Sequence, residues 1–140
     1  MSLWREIFDP AVQDNEAALR HQPVPEGKVR IHVFAGDFAT EEESLAYCFD
    51  APDPAHPEPL TRDLSEATID TAYVDTAYGA EIAPALATFF DGDVLAKLTK
   101  KIGGHNTVVL ISEYAFRGLP YALSDTPVLR YLGPFVVAAK

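Results

Sequence analysis

Residues 28–47 read KVRIHVFAGDFATEEESLAY, and this stretch decides the fold. Val29, Ile31, Val33 and Ala35 fall on one face of an extended chain, and Arg30, His32 and Phe34 fall on the other, which is the period of a strand. A strand this apolar is expected at the centre of a sheet. Gly36-Asp37 makes the turn that follows. Thr40, with Glu43 at the third helical position, is a capping box. Glu41 and Glu42 add negative charge at the positive end of the helix dipole. Leu45, Cys48 and Phe49 supply the expected inward stripe.

Upstream, residues 1–27 read as a helical preamble. Asp9 can cap a helix with Pro10 at its first position, and Ala11, Val12, Ala18 and Leu19 give it one weak apolar face. The run HQPVPEG (21–27) ends it, because two prolines and a glycine forbid regular structure. Residues 28–140 then form a single α+β domain. Downstream, DAPDPAHPEPL (50–60) holds four prolines and reads as a stiff exposed loop. TIDTAYV (68–74) suits a second strand. Glu81 to Phe90 reads as a helix with Ile82, Leu86, Phe89 and Phe90 on one face. Val94 to Ile102 reads as another, with Leu95, Leu98 and Ile102 inward, closed by Gly103-Gly104. NTVVLIS (106–112) is a clear strand. Leu129 to Ala138 is the last, with Gly133-Pro134 bending it or placing it at an edge. This order predicts a two-layer α+β sandwich, a mixed sheet of about four strands with helices mainly on one face.

A length of 140 residues suits one core, and 48% apolar residues favour a packed domain over disorder. The net charge of −10 is lopsided: residues 1–75 carry 16 acids and 5 bases, residues 76–140 carry 5 acids and 6 bases. An acidic chain argues against nucleic acid and either permits a cationic protein partner or simply keeps the protein soluble. Cys48 is the only cysteine, which excludes an internal disulfide. The opening MSLWREIFDP is too short and charged for a signal peptide, and no apolar run is long enough to span a membrane, so a cytoplasmic protein without membrane contact is expected.

No reaction motif stands out. His21, His32, His56 and His105 lack metal-ligand spacing, so no metal or cofactor is expected. No serine sits in a nucleophile elbow. Cys48 faces a core stripe, where a thiol is usually inert. Asp70, Asp75 and Glu81 match no metal loop. His32 beside Arg30 is either part of a polar site on an open sheet face or a half-buried histidine under a helix or loop. The connection 113–127 carries Tyr114, Phe116, Arg117 and Tyr121. Tyr and Arg are favoured interface anchors, and loops of this length are usually functional or disordered, but these aromatics suit a simple cover for the sheet equally well.

The segments VRIHVFAGDFATEEESLAY (29–47), NTVVLI (106–111) and YLGPF (131–135), taken with the order of elements, resemble the immunity protein 22 family of bacterial polymorphic toxin systems. The preamble and the proline loop are extra to that pattern. The resemblance implies a cytoplasmic protein without chemistry of its own that binds a cognate toxin domain and blocks it. A nuclease-type toxin must be cationic to hold nucleic acid, which an acidic inhibitor complements. The expected contact surface comprises Asp37, Glu41, Glu42, Asp70 and Asp75, with Tyr73, Tyr114, Arg117 and Tyr121 as anchors. Two other readings stand beside it. One is a ligand-binding or enzymatic domain with a cleft near Arg30 and His32. The other is a homodimer built through an edge strand or the aromatic loop.

Overall fold

A computed structural model describes residues 24–138. The expected preamble helix lies outside the described residues. The chain enters through a turn in which the Lys28 amide bonds the Pro25 carbonyl, with Gly27 at φ +83°. Positive φ at the third position is what a type II turn requires.

Strand β1 (Lys28–Gly36) is flanked by strands on both sides. The sheet order is β2 (Val74–Tyr78), β3 (Thr107–Ser112), β1, β4 (Leu129–Ala138). Every pairing is antiparallel, so the sheet is uniform rather than mixed. β1 meets β3 from Ile31↔Ser112 to Gly36↔Thr107, and β2 meets β3 from Val74↔Ile111 to Tyr78↔Thr107. β4 lies at an edge, as Gly133-Pro134 suggested. Its register against β1 shifts between Val33↔Gly133 and Phe34↔Tyr131, leaving Leu132 as the extra residue of a bulge.

Helix α1 (Glu41–Phe49) begins as predicted, with the Glu43 amide donating to Thr40 Oγ1 at 3.1 Å. Its inner face differs. Ser44, Tyr47 and Cys48 are buried, whereas Leu45 and Phe49 are exposed. Tyr47 sets this rotation: its hydroxyl lies 2.8 Å from Asp63 Oδ2 and 3.0 Å from Thr126 Oγ1, three separate segments meeting at one atom. Two further segments depart from expectation. Pro59 does not extend the proline loop but starts a short helix, α2 (Pro59–Asp63). Thr71–Tyr73 is a 3-10 turn, and the second strand starts only at Val74. There the Asp70 carboxylate accepts from the Ala72 amide at 3.0 Å, a local bond that competes with the ladder.

Helices α3 (Ile82–Phe89) and α4 (Gly92–Ile102) pack on one face of the sheet. Ile31, Val33 and Ala35 meet Leu86, Phe90, Leu98 and Ile102 there. The other face is closed as well. Phe34, Val109 and Ile111 are covered by Tyr47 and Cys48 of α1, Leu60 of α2, and Phe116, Tyr121 and Leu123 of the long connection. The helices are thus divided between the faces, with the longer pair on one. The division follows from β1, whose two faces are both apolar enough to demand cover.

Candidate binding surface and the polar cluster beneath it

Arg30 and His32 share the even face of β1 with Phe34, and both are buried. A charged and a titratable side chain in such a place need partners. The chain supplies them as it leaves β3. Ser112 Oγ accepts from the Tyr114 amide at 3.2 Å and turns the backbone into a 3-10 helix, Glu113–Phe116. That turn brings Glu113 over β1. Its Oε1 lies 3.1 Å from Arg30 Nη1, 3.4 Å from His32 Nε2 and 2.6 Å from the Tyr121 hydroxyl. His32 Nε2 also meets the Tyr121 hydroxyl at 3.0 Å, and Nδ1 meets the Tyr131 hydroxyl at 2.8 Å. Since the Tyr121 proton goes to the carboxylate, Nε2 carries its hydrogen toward Tyr121 and Glu113.

Aromatic rings wall the cluster. Phe116 and Tyr121 stack with centroids 3.9 Å apart and planes at 10°, and the His32 ring stands nearly perpendicular to both. Burial alone would raise the Glu113 pKa. Hydrogen bonds from His32, Tyr121 and Arg30 outweigh it and hold the carboxyl below the usual glutamate range. Burial, then the bond to Glu113, pushes the Tyr121 phenol upward. A phenol moved away from neutrality is a poor general acid or base, and both ring nitrogens of His32 are occupied. The arrangement is suited to fixing the 113–127 connection on the sheet. Of the two readings of His32, the one that places it under a helix or loop describes its position, but the ring is fully buried rather than half-buried.

The fixed connection carries an exposed surface. Tyr73 is 45% exposed and Tyr114 57% exposed, with ring centroids 5.9 Å apart. Beside them Arg117 Nη2 donates to Asp70 Oδ2 at 2.7 Å. The Asp70 amide bonds the Ala115 carbonyl at 2.8 Å, tying the two turns together. The Ala72 amide and then Arg117 hold the Asp70 carboxyl below its ordinary range. Arg117 adopts the left-handed conformation (φ 55°), which turns the chain at the end of the 3-10 helix. Asp75 is exposed on β2, two residues from Tyr73.

The structure therefore gathers Asp70, Tyr73, Asp75, Tyr114 and Arg117 at one end of the sheet. Asp37 sits at the other, beyond Gly36, bonded to His105 Nδ1 at 2.8 Å and to the Asn106 amide at 3.0 Å. The His105 hydrogen bond, then that of Asn106, lowers its pKa. Glu41 and Glu42 lie near that end, at the start of α1. Ile31 and Gly36 mark the two ends along β1, ~17 Å apart at ~3.4 Å per residue. The nine expected contact residues thus do not form one surface. Tyr121, expected as a surface anchor, is 3% exposed because Phe116 stacks on its ring and Glu113 binds its hydroxyl.

Sequence reasoning missed Glu113 and Tyr131. The available signal was Arg30 and His32 on an otherwise apolar strand, which calls for an acid and hydroxyls on a distant segment. The separations, 83 residues for Arg30–Glu113 and 99 for His32–Tyr131, place those partners beyond any local pattern. Among the described residues no group of three His, Cys, Asp or Glu side chains is placed to hold a metal, and no helix is long and apolar enough to cross a membrane. Cavities among the described residues include one of about 350 Å³ between α3 and α4, lined by Ile82, Leu86, Leu95 and Ile102, and one of about 500 Å³ beside Asp37 and Arg130. Comparison with family models, with curated proteins and with solved structures gives no match.

Proposed function

We propose that this is a non-catalytic cytoplasmic protein that binds and neutralises a basic protein partner. A toxin domain of nuclease type is the partner class, as the sequence resemblance suggests. The observation that carries the reading is the Tyr73–Tyr114 pair, exposed on turns that Asp70, Arg117 and the buried Glu113 cluster hold in place. Rigid exposed aromatics beside an arginine are the residues that dominate binding energy at protein interfaces. Holding them rigid before binding lowers the ordering cost of association. The chain's acidity supports a cationic partner and fast, salt-sensitive association.

The test is affinity capture from the source cell's extract at low and at moderate salt. The expected result is one stoichiometric basic partner whose retention falls with salt. Tyr73→Ala with Tyr114→Ala should weaken it by about a hundredfold, the sum of two anchor losses of ~1–2 kcal/mol each. Asp75→Lys should weaken it further, and Glu41→Lys with Glu42→Lys should not, because those acids lie at the far end. Capture that survives the double tyrosine variant refutes the assignment of the surface. A partner of acidic character refutes the charge argument.

A further inference from the structure

The two edges of the sheet are unequal. β4 is blunted by the Leu132 bulge and by Pro134, both of which resist strand addition. β2 carries neither device, and among the described residues no strand pairs with its outer side. The direction of its backbone groups follows from the ladder. The Gly79 amide donates to the Asn106 carbonyl at 2.8 Å. Bonded pairs alternate along an antiparallel ladder, so the register makes Ala77–Val108 and Asp75–Leu110 the next bonded pairs. The N–H and C=O of Val74, Thr76 and Tyr78 therefore point away from β3. The Val74 amide is taken by the Thr71 carbonyl. Those of Thr76 and Tyr78 face outward on a strand whose Asp75 side chain is exposed.

We infer that the outer edge of β2 is a docking site for an extended cationic segment of a partner protein, which adds to the sheet as a fifth strand. This deepens the proposed function and rests on it, because Tyr73 immediately precedes β2 and the added strand would run on to the Tyr73–Tyr114 pair. Charge selects the occupant. A second copy is disfavoured: pairing Val74 with Thr76 of the copy sets the two Asp75 side chains directly opposite, and centring the pair on Thr76 sets them diagonally on one face. Like charges at such positions repel. A strand with Lys or Arg opposite Asp75 turns the same carboxylate into an attraction. Backbone bonds would give affinity and alternate side chains specificity, as in strand addition generally.

The test uses the full chain and two capped hexapeptides, one alternating Lys and Val and one alternating Glu and Val, read by amide hydrogen exchange. The lysine peptide should slow exchange of the Thr76 and Tyr78 amides about tenfold or more near saturation, and the glutamate peptide should not. Thr76→Pro removes an outward N–H without touching the β3 ladder, so the sheet should keep its dispersed spectrum while binding is lost. Thr76→Val keeps the N–H and should keep binding. Asp75→Lys should reverse the preference between the peptides. Unchanged exchange at Thr76 and Tyr78 overturns the inference, as does protection on β4 instead, or protection that grows with protein concentration alone. Partner capture lost in the tyrosine double variant but retained in Thr76→Pro would leave the binding reading standing and remove strand addition. Peptide docking at Thr76 with no protein partner captured would support the edge and remove the toxin-inhibitor reading.

Discussion

Replacing Glu113 with Gln removes one charge and almost no volume. In the folded protein its Oε1 receives Arg30, His32 and Tyr121 at 3.1, 3.4 and 2.6 Å. Bonds to an ionised acceptor contribute ~1.5–3 kcal/mol each and neutral ones ~0.5–1.5. The bond to His32 is long and counts for little. The other two therefore lose roughly 1 kcal/mol or somewhat more apiece, and the substitution should cost about 2–3 kcal/mol at neutral pH. The Glu113 side chain is 27% exposed, which keeps the figure below that of a fully buried pair. The cost should also depend on pH. The folded carboxyl sits below the unfolded value of 4.5, so its contribution is present above that value and is lost as pH falls through the lower, folded pKa. Urea unfolding of both proteins across the acid range measures this directly. The stability gap should be widest near neutrality and close in strong acid, where wild-type Glu113 is itself neutral. A gap under ~0.5 kcal/mol at neutral pH, or one that stays constant into acid, would refute the assignment of the cluster as the charged clamp of the 113–127 connection.

Two other outcomes follow from the packing. A Cβ on Gly36 would collide with the Val128 carbonyl oxygen, so Gly36→Ala should lower stability by ~1–3 kcal/mol and the Tm by several degrees, measured calorimetrically; an unchanged Tm would remove that close approach. Burial, then the charge of Glu58, pushes the Cys48 thiol up to about 12, so a disulfide reagent should modify it at neutral pH only after denaturant is added, and rapid labelling of the native protein would show that α1 does not cover it.

The readable parts of the chain are those with local causes. β1, β3, the Thr40 cap and the inward residues Leu98 and Ile102 of α4 all follow from period and capping within a few residues. Errors arise where a side-chain hydrogen bond, distant or near, outbids the periodic pattern. Apolarity nominated Leu45 and Phe49 for the core, yet Tyr47 is drawn inward by Asp63 and Thr126, which lie in other segments. The alternation of 68–74 suggested a strand, yet Asp70 bonds the Ala72 amide and delays it to Val74. The exposed end of the site was legible as residue types, with Tyr73, Tyr114, Arg117, Asp70 and Asp75 all named from sequence. Their separation from Asp37, Glu41 and Glu42 was not, because only the sheet register fixes which end of a strand a loop occupies.

The bulge at Leu132 decides which way the end of the C-terminal strand faces. Tyr131 and Phe135 are four apart, and in an uninterrupted strand they would face the same way. Here Tyr131 lies with Phe34 on the His32 side while Phe135 packs on Phe90 on the opposite side, because the extra residue inverts the alternation between them. Smoothing the bulge away at constant length would turn over everything that follows, driving Phe135 and Val137 toward the buried charges and lifting them off α3 and α4, whereas deleting residue 132 would leave a regular ladder with Phe135 still opposite Ile31 on its present face. In any descendant or designed version of this chain, a single-codon deletion at the bulge can be absorbed as a regular ladder, whereas a single-codon insertion there must widen the bulge or exchange the faces of the residues beyond it.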